Sequence, residues 1–195
     1  MRTRDYPGRF IVIEGADGAG TTTQSKQLAD ELDAHWTYEP SGNKIGKFVD
    51  TMISGDDFSP EAIALGFAAD RMAHLEEEIL PRLEKGRTVV CDRYYHSSFV
   101  YQPILGADRT WVEELNKHAL VPDQTVILDI AAEEGMERVS ERGHDGNIFE
   151  DLSFQQKVVI QYQELVEDLE EDITLVDASQ PIDAVFADII ERIEK

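Results

Sequence analysis

A short apolar run, Phe10-Ile11-Val12-Ile13, gives way to Glu14-Gly15-Ala16-Asp17-Gly18-Ala19-Gly20-Thr21-Thr22-Thr23-Gln24. A strand, a glycine-rich turn and a helix start in that order form the opening unit of an α/β fold. The spacing of Gly15 and Gly20, with a hydroxyl at Thr22, fits the pattern G-x-x-x-x-G-K-[ST]. In that pattern, loop amides and a helix N-terminus hold phosphate. The lysine is missing, because Thr21 stands in its place. On this stretch alone, phosphate binding and an ordinary strand–helix turn both remain open.

The rest of the chain extends the same alternation. Strand-like runs recur at 88–91 and 125–129, with a weaker one at 173–176. Between them, helical periodicity is expected over Thr22–Ala34, with Leu28, Ala29 and Leu32 on one face. A second helix starts at Ser59-Pro60-Glu61, with Ser as cap and Pro at the first position, and should end near Leu80, before Pro81. Further helices are expected at 111–119, 132–142, 153–170 and 182–194. The pattern predicts an α/β sandwich around a parallel sheet, whose ligands bind beyond the carboxyl ends of the strands. The 195 residues read as a single domain, 1–195. The polar, glycine-rich segment Arg142-Gly143-His144-Asp145-Gly146-Asn147 suits a lid at about 142–151.

Charge narrows the partners. Forty Asp and Glu oppose 18 Lys and Arg, for a formal net charge of −22. Such a surface repels nucleic acid and anionic membrane, so neither is an expected partner. It suits a halophilic setting, where salt near 1 M screens charge beyond roughly 3 Å. No apolar run approaches the roughly 20 residues of a membrane span. The N-terminal MRTRDYPGR lacks a signal-peptide pattern, so a cytoplasmic location is expected. The single cysteine, Cys91, excludes an internal disulfide and reads as a buried thiol. The five histidines show no close metal-ligand spacing.

Two further clusters bear on function. Asp92-Arg93-Tyr94 closes a strand and is followed by Ser97, Ser98, Tyr101 and Gln102. An Arg there can clamp phosphate or pair with Asp92 at the surface. Upstream, Phe67 and Arg71 stand four apart in LGFAADR and share one helix face. A ring and a guanidinium so placed can stack on and hydrogen-bond a nucleobase, or can be core and surface respectively.

Taken together, FIVIEGADGAGTTTQ, YEPSGNKIGK, LGFAADR, CDRYYHSSFVYQ, VPDQTVILDI with ERVSERG, and VDASQPIDAVFADI resemble the thymidylate kinase family in order and spacing over nearly the whole chain. That family consists of nucleoside monophosphate kinases making dTDP from dTMP and ATP with Mg²⁺. The resemblance implies a three-layer sandwich with a five-stranded parallel sheet and a lid, and a homodimer. It implies that Gly15, Ala16, Asp17, Gly18, Ala19, Gly20, Thr21 and Thr22 bind ATP. Thr22 and Asp17 would serve Mg²⁺; Asp17, Arg93 and Arg142 would be catalytic. Phe67 would stack on thymine, Arg71 would bond its carbonyl edge, and Ser98 and Gln102 would meet the other edge. Tyr101 would pack under the sugar, and the Asp177-Ala178-Ser179-Gln180 turn would lie near the adenine. Three departures remove positive charge: Thr21 in the loop, Ser41 after Glu39-Pro40, and Asn147-Ile148 in the lid. Arg93, Arg142, Arg138 and Lys26 are the remaining cations, although Lys26 lies over a helical turn past Thr21. The alternatives are a nucleotide-binding paralogue of little activity that senses or regulates deoxynucleotides, and a kinase for another deoxynucleotide.

Overall fold

The structure, a computed structural model, describes residues 6–55, 57–142 and 151–193, without the side chain of Arg142. Five strands form one parallel sheet in the order β2-β3-β1-β4-β5. They are β1 (Phe10–Gly15), β2 (His35–Tyr38), β3 (Val89–Asp92), β4 (Gln124–Asp129) and β5 (Ile173–Asp177). The helices are α1 (Thr21–Glu31), α2 (Lys44–Ile53), α3 (Pro60–His74), α4 (Leu80–Leu83), α5 (Tyr95–Leu105), α6 (Arg109–Leu115), α7 (Ala132–Arg142), α8 (Leu152–Asp168) and α9 (Ile182–Ile193).

The strand pleat sorts the core. In β1 all six residues are buried: Phe10 and Val12 face one core, Ile11 and Ile13 the other. A strand covered on both faces reads as a continuous apolar run, which is why β1 was conspicuous in the sequence. On the first face pack α3, α5, α6 and α8, through Ala64, Phe99, Val112, Val158 and Leu165. On the second pack α1 and α9, through Leu28, Ala29, Val185 and Ile189, with Leu32 at the margin. The result is the expected α/β three-layer sandwich.

The start of α3 follows the sequence reading: the Ser59 hydroxyl accepts from Ala62 N at 3.2 Å and Pro60 takes the first turn. Its end does not. Instead of stopping before Pro81, the chain passes through a π-helical turn, Leu75–Ile79, into α4, which contains Pro81. Pro81 sits in the first turn of α4, where a proline needs no helical N–H, and the widened turn before it makes room for the ring. Three elements escaped the periodicity. β2 is an edge strand with one buried residue, Thr37, so it has no apolar signature. α2 is short. In α5 the polar Ser98 and Gln102 are buried and Pro103 sits inside the helix, so no apolar stripe forms. The lid expected over about 142–151 lies almost wholly outside the described residues.

Candidate active site

The carboxyl ends of β1 and β3 meet at the glycine loop. Gly18 and Gly20 have φ of 82° and 95°, left-handed values that favour glycine. A Cβ on Gly18 would also come within 2.0 Å of the Gly135 carbonyl on α7, so backbone packs directly on backbone there. Gly20 caps α1 without a side-chain bond, and the first turn of α1 holds no acidic residue. Its leading amides therefore present a positive dipole end. Thr21 is buried in that turn, and its hydroxyl makes no hydrogen bond among the described residues. Lys26 lies elsewhere: its Nζ sits 4.5 Å from the centre of the Trp36 ring.

Thr22 Oγ1 donates to Asp92 Oδ2 at 2.5 Å. Asp92 is buried, and its Oδ1 has no hydrogen-bond partner among the described residues. Buried carboxylate oxygens are rarely left without partners. A hydroxyl beside an unpartnered carboxylate oxygen is the hard-oxygen set that a small divalent cation takes. Asp92 was missed as a metal candidate in the sequence because it was read only as a partner for Arg93.

Arg93 instead pairs with Asp17, Nη2 to Oδ1 at 2.7 Å. Its Nη1 donates to the Gly15 carbonyl at 2.9 Å, and to Ser97 and Tyr101 at 3.3 Å each. The backbone at Arg93 is left-handed, with φ 65°, and is anchored by its N–H on Ile13 O at 2.9 Å. A non-glycine residue there is strained by roughly 1–2 kcal/mol, and such strain gathers at functional sites. Partial burial works against the charge, but the carboxylates of Asp17 and Glu14 outweigh it and hold the guanidinium above its ordinary value. Asp17 is held from every side. Its Oδ1 also accepts from Tyr101 at 3.2 Å, while Gln155 of α8 donates to Oδ2 at 2.9 Å and accepts from Asp17 N at 3.1 Å. Gln155 was not singled out in the sequence, since a glutamine in a polar helix carries no signal.

Below the loop, Glu14 is fully buried at the end of β1. It accepts from Tyr94 N at 2.7 Å, Ser97 Oγ at 2.6 Å and Tyr162 OH at 2.8 Å. His96 lies between Glu14, 3.7 Å away, and Glu171, 3.0 Å away. Burial would raise both carboxyls, yet the imidazole beside them holds them below the ordinary value. Burial alone would lower His96, and the two carboxylates raise it.

One cavity of about 140 Å³ opens on Asp17 and Arg93. Its wall includes Phe67, Arg71, Ser98, Tyr101 and Gln102, the five residues named for the acceptor base and sugar. The structure thus brings both sequence clusters to one place. Arg71 is buried, donates from Nη2 to Ser98 Oγ at 3.0 Å and from Nε to Glu39 Oε2 at 2.9 Å, and contacts Asn116 Oδ1 through Nη1. A second cavity, about 490 Å³, lies on the other side of the loop, bounded by Gly20, Thr23, Arg138 and the Ala178-Ser179-Gln180 turn. Arg138 is tied there to Ala178 O at 3.0 Å and Glu134 at 2.6 Å. Cys91 is a free, buried thiol whose burial pushes its pKa up. The side chain of Arg142, and Asn147 and Ile148, lie outside the described residues.

The sequence model of the thymidylate kinase family matches residues 13–189, which contain both cavities. The chain belongs to the thymidylate kinase family. Probable thymidylate kinases from three archaea are similar to it. That of Methanocaldococcus jannaschii is 43% identical over 163 residues, covering 82% of each chain. That of Methanococcus maripaludis is 38% identical over 195 residues, covering 95% of this chain and 94% of the other. That of Pyrococcus abyssi is 37% identical over 198 residues, covering 96% of each. As a member of this family the chain is a nucleoside monophosphate kinase, and the two cavities flanking its glycine loop are its candidate nucleotide sites. Among the described residues no helix is long and apolar enough to cross a membrane.

Proposed function

We propose that the protein transfers the γ-phosphoryl group of ATP to dTMP, giving dTDP and ADP, with Mg²⁺. The observation that carries this reading is the convergence of Phe67, Arg71, Ser98, Tyr101 and Gln102 on one cavity that opens on Asp17 and Arg93. Phe67 stacks on the pyrimidine, Arg71 donates to its 4-oxygen, and Tyr101 bounds the sugar. The dTMP phosphate then lies toward Arg93, and the ATP phosphates lie over the loop amides and the start of α1. An anionic dTMP oxygen forms a bond to the γ-phosphorus as the β–γ bridging bond breaks and ADP leaves. No strong base is required, because the attacking oxygen carries no proton. Arg93 is held for charge that spreads over the transferred group, where catalysis rests on positioning and electrostatics. Thr22 and Asp92 would hold Mg²⁺, which would supply positive charge to the ATP phosphates, whereas Asp17, also named for Mg²⁺ on the resemblance, has its carboxylate engaged by Arg93, Tyr101 and Gln155. Arg142 and a lid at about 142–151 complete the donor side in this reading.

A coupled ATPase-linked assay with dTMP, ATP and Mg²⁺ tests it, and turnover dependent on all three is expected. The absence of a lysine at Thr21 favours a second reading, a nucleotide-binding protein of low activity. Tight dTMP binding without turnover at any salt concentration would establish that one instead.

A cytoplasmic, dimeric, salt-adapted enzyme completes the proposal. The net charge of −22 supports salt adaptation. Activity and stability should rise with KCl up to molar levels, as screening relieves self-repulsion. Full activity in dilute buffer, lost above about 1 M salt where the screening length is ~3 Å, would rule salt adaptation out. Exposed Phe48 and Phe58, in edge contact at 5.9 Å, and exposed Leu65 support a dimer through α2 and α3, which sedimentation would test.

A further inference from the structure

Arg71 is the buried group with an incomplete set of partners. A guanidinium carries five N–H groups. Nε and Nη2 lie 2.9 and 2.8 Å from the same Glu39 oxygen, Oε2. Nη2 also donates to Ser98, and Nη1 to Asn116. The second N–H of Nη1 has no acceptor among the described residues, although Arg71 is 1% exposed and lines the acceptor cavity. A buried donor without an acceptor is costly, and a ligand carbonyl satisfies it.

Glu39, which holds Arg71 in that pose, lies beside it in the cavity wall, and a row of partners runs away from the cavity behind it. Glu39 Oε1 is 3.2 Å from His74 Nδ1. Glu39 is acceptor-only as a carboxylate, so Nδ1 carries a proton toward it, and Nε2 is hydrogen-bonded with Thr37 Oγ1 at 2.7 Å. Glu39, His74 and Thr37 are all buried. Glu78 closes the outer end: its Oε2 is 3.8 Å from His74 Nε2 and its Oε1 is 2.7 Å from His35 Nε2. A row of partners thus runs from half-exposed His35 and Glu78 to the base cavity, and each member fixes the orientation of the next.

We propose that Glu39 and His74 are positioning residues that hold Arg71 as a one-sided donor, and that they set the preference for a 4-oxo over a 4-amino pyrimidine. This rests on the reading of the cavity as the dTMP site. A 4-oxygen takes the open Nη1 N–H. A 4-amino group presents a second donor and leaves both unpaired, a mismatch that can cost several orders of magnitude in kcat/KM. Without Glu39 or His74 the guanidinium is free to turn its plane, and the penalty against the amino group falls.

The test compares dTMP and dCMP, as substrates and in equilibrium binding, for wild type, Glu39→Gln, His74→Ala and His74→Asn. For Glu39→Gln and His74→Ala, KM for dTMP should rise by about tenfold, the size of effect that a single misaligned polar contact produces. The dTMP:dCMP preference should fall by a similar factor, with KM for ATP and kcat close to wild type. His74→Asn, which keeps a donor toward Glu39, should recover most of the preference. A merely structural role would move kcat and both KM values together and would leave the preference intact. An unchanged preference in folded Glu39→Gln and His74→Ala overturns the proposal. If wild type turns over neither nucleotide, the kinase reading fails by itself, and the binding preference of the same variants still decides the role of Glu39 and His74.

Discussion

The acceptor side and the donor side of the glycine loop are built on different terms. Around the acceptor cavity nearly every charge has a fixed partner: Arg71 with Glu39, Arg93 with Asp17, and Glu14 with His96. The donor side offers the amides at the start of α1, the Thr22–Asp92 pair and Arg138, around a wider cavity of about 490 Å³. Fixed partners in a low-dielectric pocket pre-orient donors before any substrate arrives. The donor side relies on backbone dipoles and on what binds with the nucleotide. Among the described residues, the absence of a lysine at Thr21 therefore falls on the side with fewer cations, while Arg93 reaches the loop from the acceptor side through Gly15 O.

The largest effect that would sharpen this contrast is expected from Asp92→Ala. It removes the carboxylate beside Thr22 without touching the base pocket. Turnover should fall by about 10²–10³, the loss typical of one oriented electrostatic group, with KM for dTMP nearly constant. A matching rise in KM for dTMP would show that the two sides are not separable.

A stability effect follows from the buried chain under the loop. His96→Gln removes the imidazole that lies beside both Glu14 and Glu171 and should destabilise the fold by about 3 kcal/mol. The pH dependence has two limbs. His96 is raised in the fold, so its contribution is complete below its ordinary value of 6.5 and is lost as pH rises through the raised value. Glu14 and Glu171 are lowered, so theirs is present above 4.5 and is lost as pH falls through the lowered values. Thermal midpoints across pH should show the wild-type advantage over His96→Gln shrinking on the alkaline side. An advantage that is constant with pH would mean that packing, not charge, holds this region.

The smallest effect is expected from Lys26→Ala. An exposed cation over a ring is worth about 0.5–1 kcal/mol, so stability should drop by no more than that. Turnover should be unchanged, because Lys26 rests on Trp36 and not on the phosphate site. A tenfold loss of kcat would make Lys26 the stand-in for the missing lysine.

The fold was legible where burial on both faces forced apolar runs, as in β1 and β4, and where caps are local, as at Ser59. It was illegible at β2 and α5, whose side chains serve an edge or a polar site and so carry no period. The candidate site was legible where residues sit close in sequence, as with Phe67 and Arg71, or Ser98 and Gln102. Asp92, Glu39, His74, Asn116 and Gln155 were not, because their roles arise from contacts across 32–138 positions of chain, such as Glu39 with Arg71 and Gln155 with Asp17. Sequence spacing gives no distance between such residues, and the parallel crossovers that join them are set by the whole sheet.

If Arg93 supplies from the acceptor side the charge that a loop lysine would have given, kcat for Thr21→Lys measured beside Arg93→Ala will show it. With saturating dTMP, ATP and Mg²⁺, Arg93→Ala should lower kcat by about 10²–10³ or more. Thr21→Lys should change it by less than about threefold, under 1 kcal/mol in the barrier. A rise of tenfold or more in Thr21→Lys, with Arg93→Ala near wild type, would contradict the account.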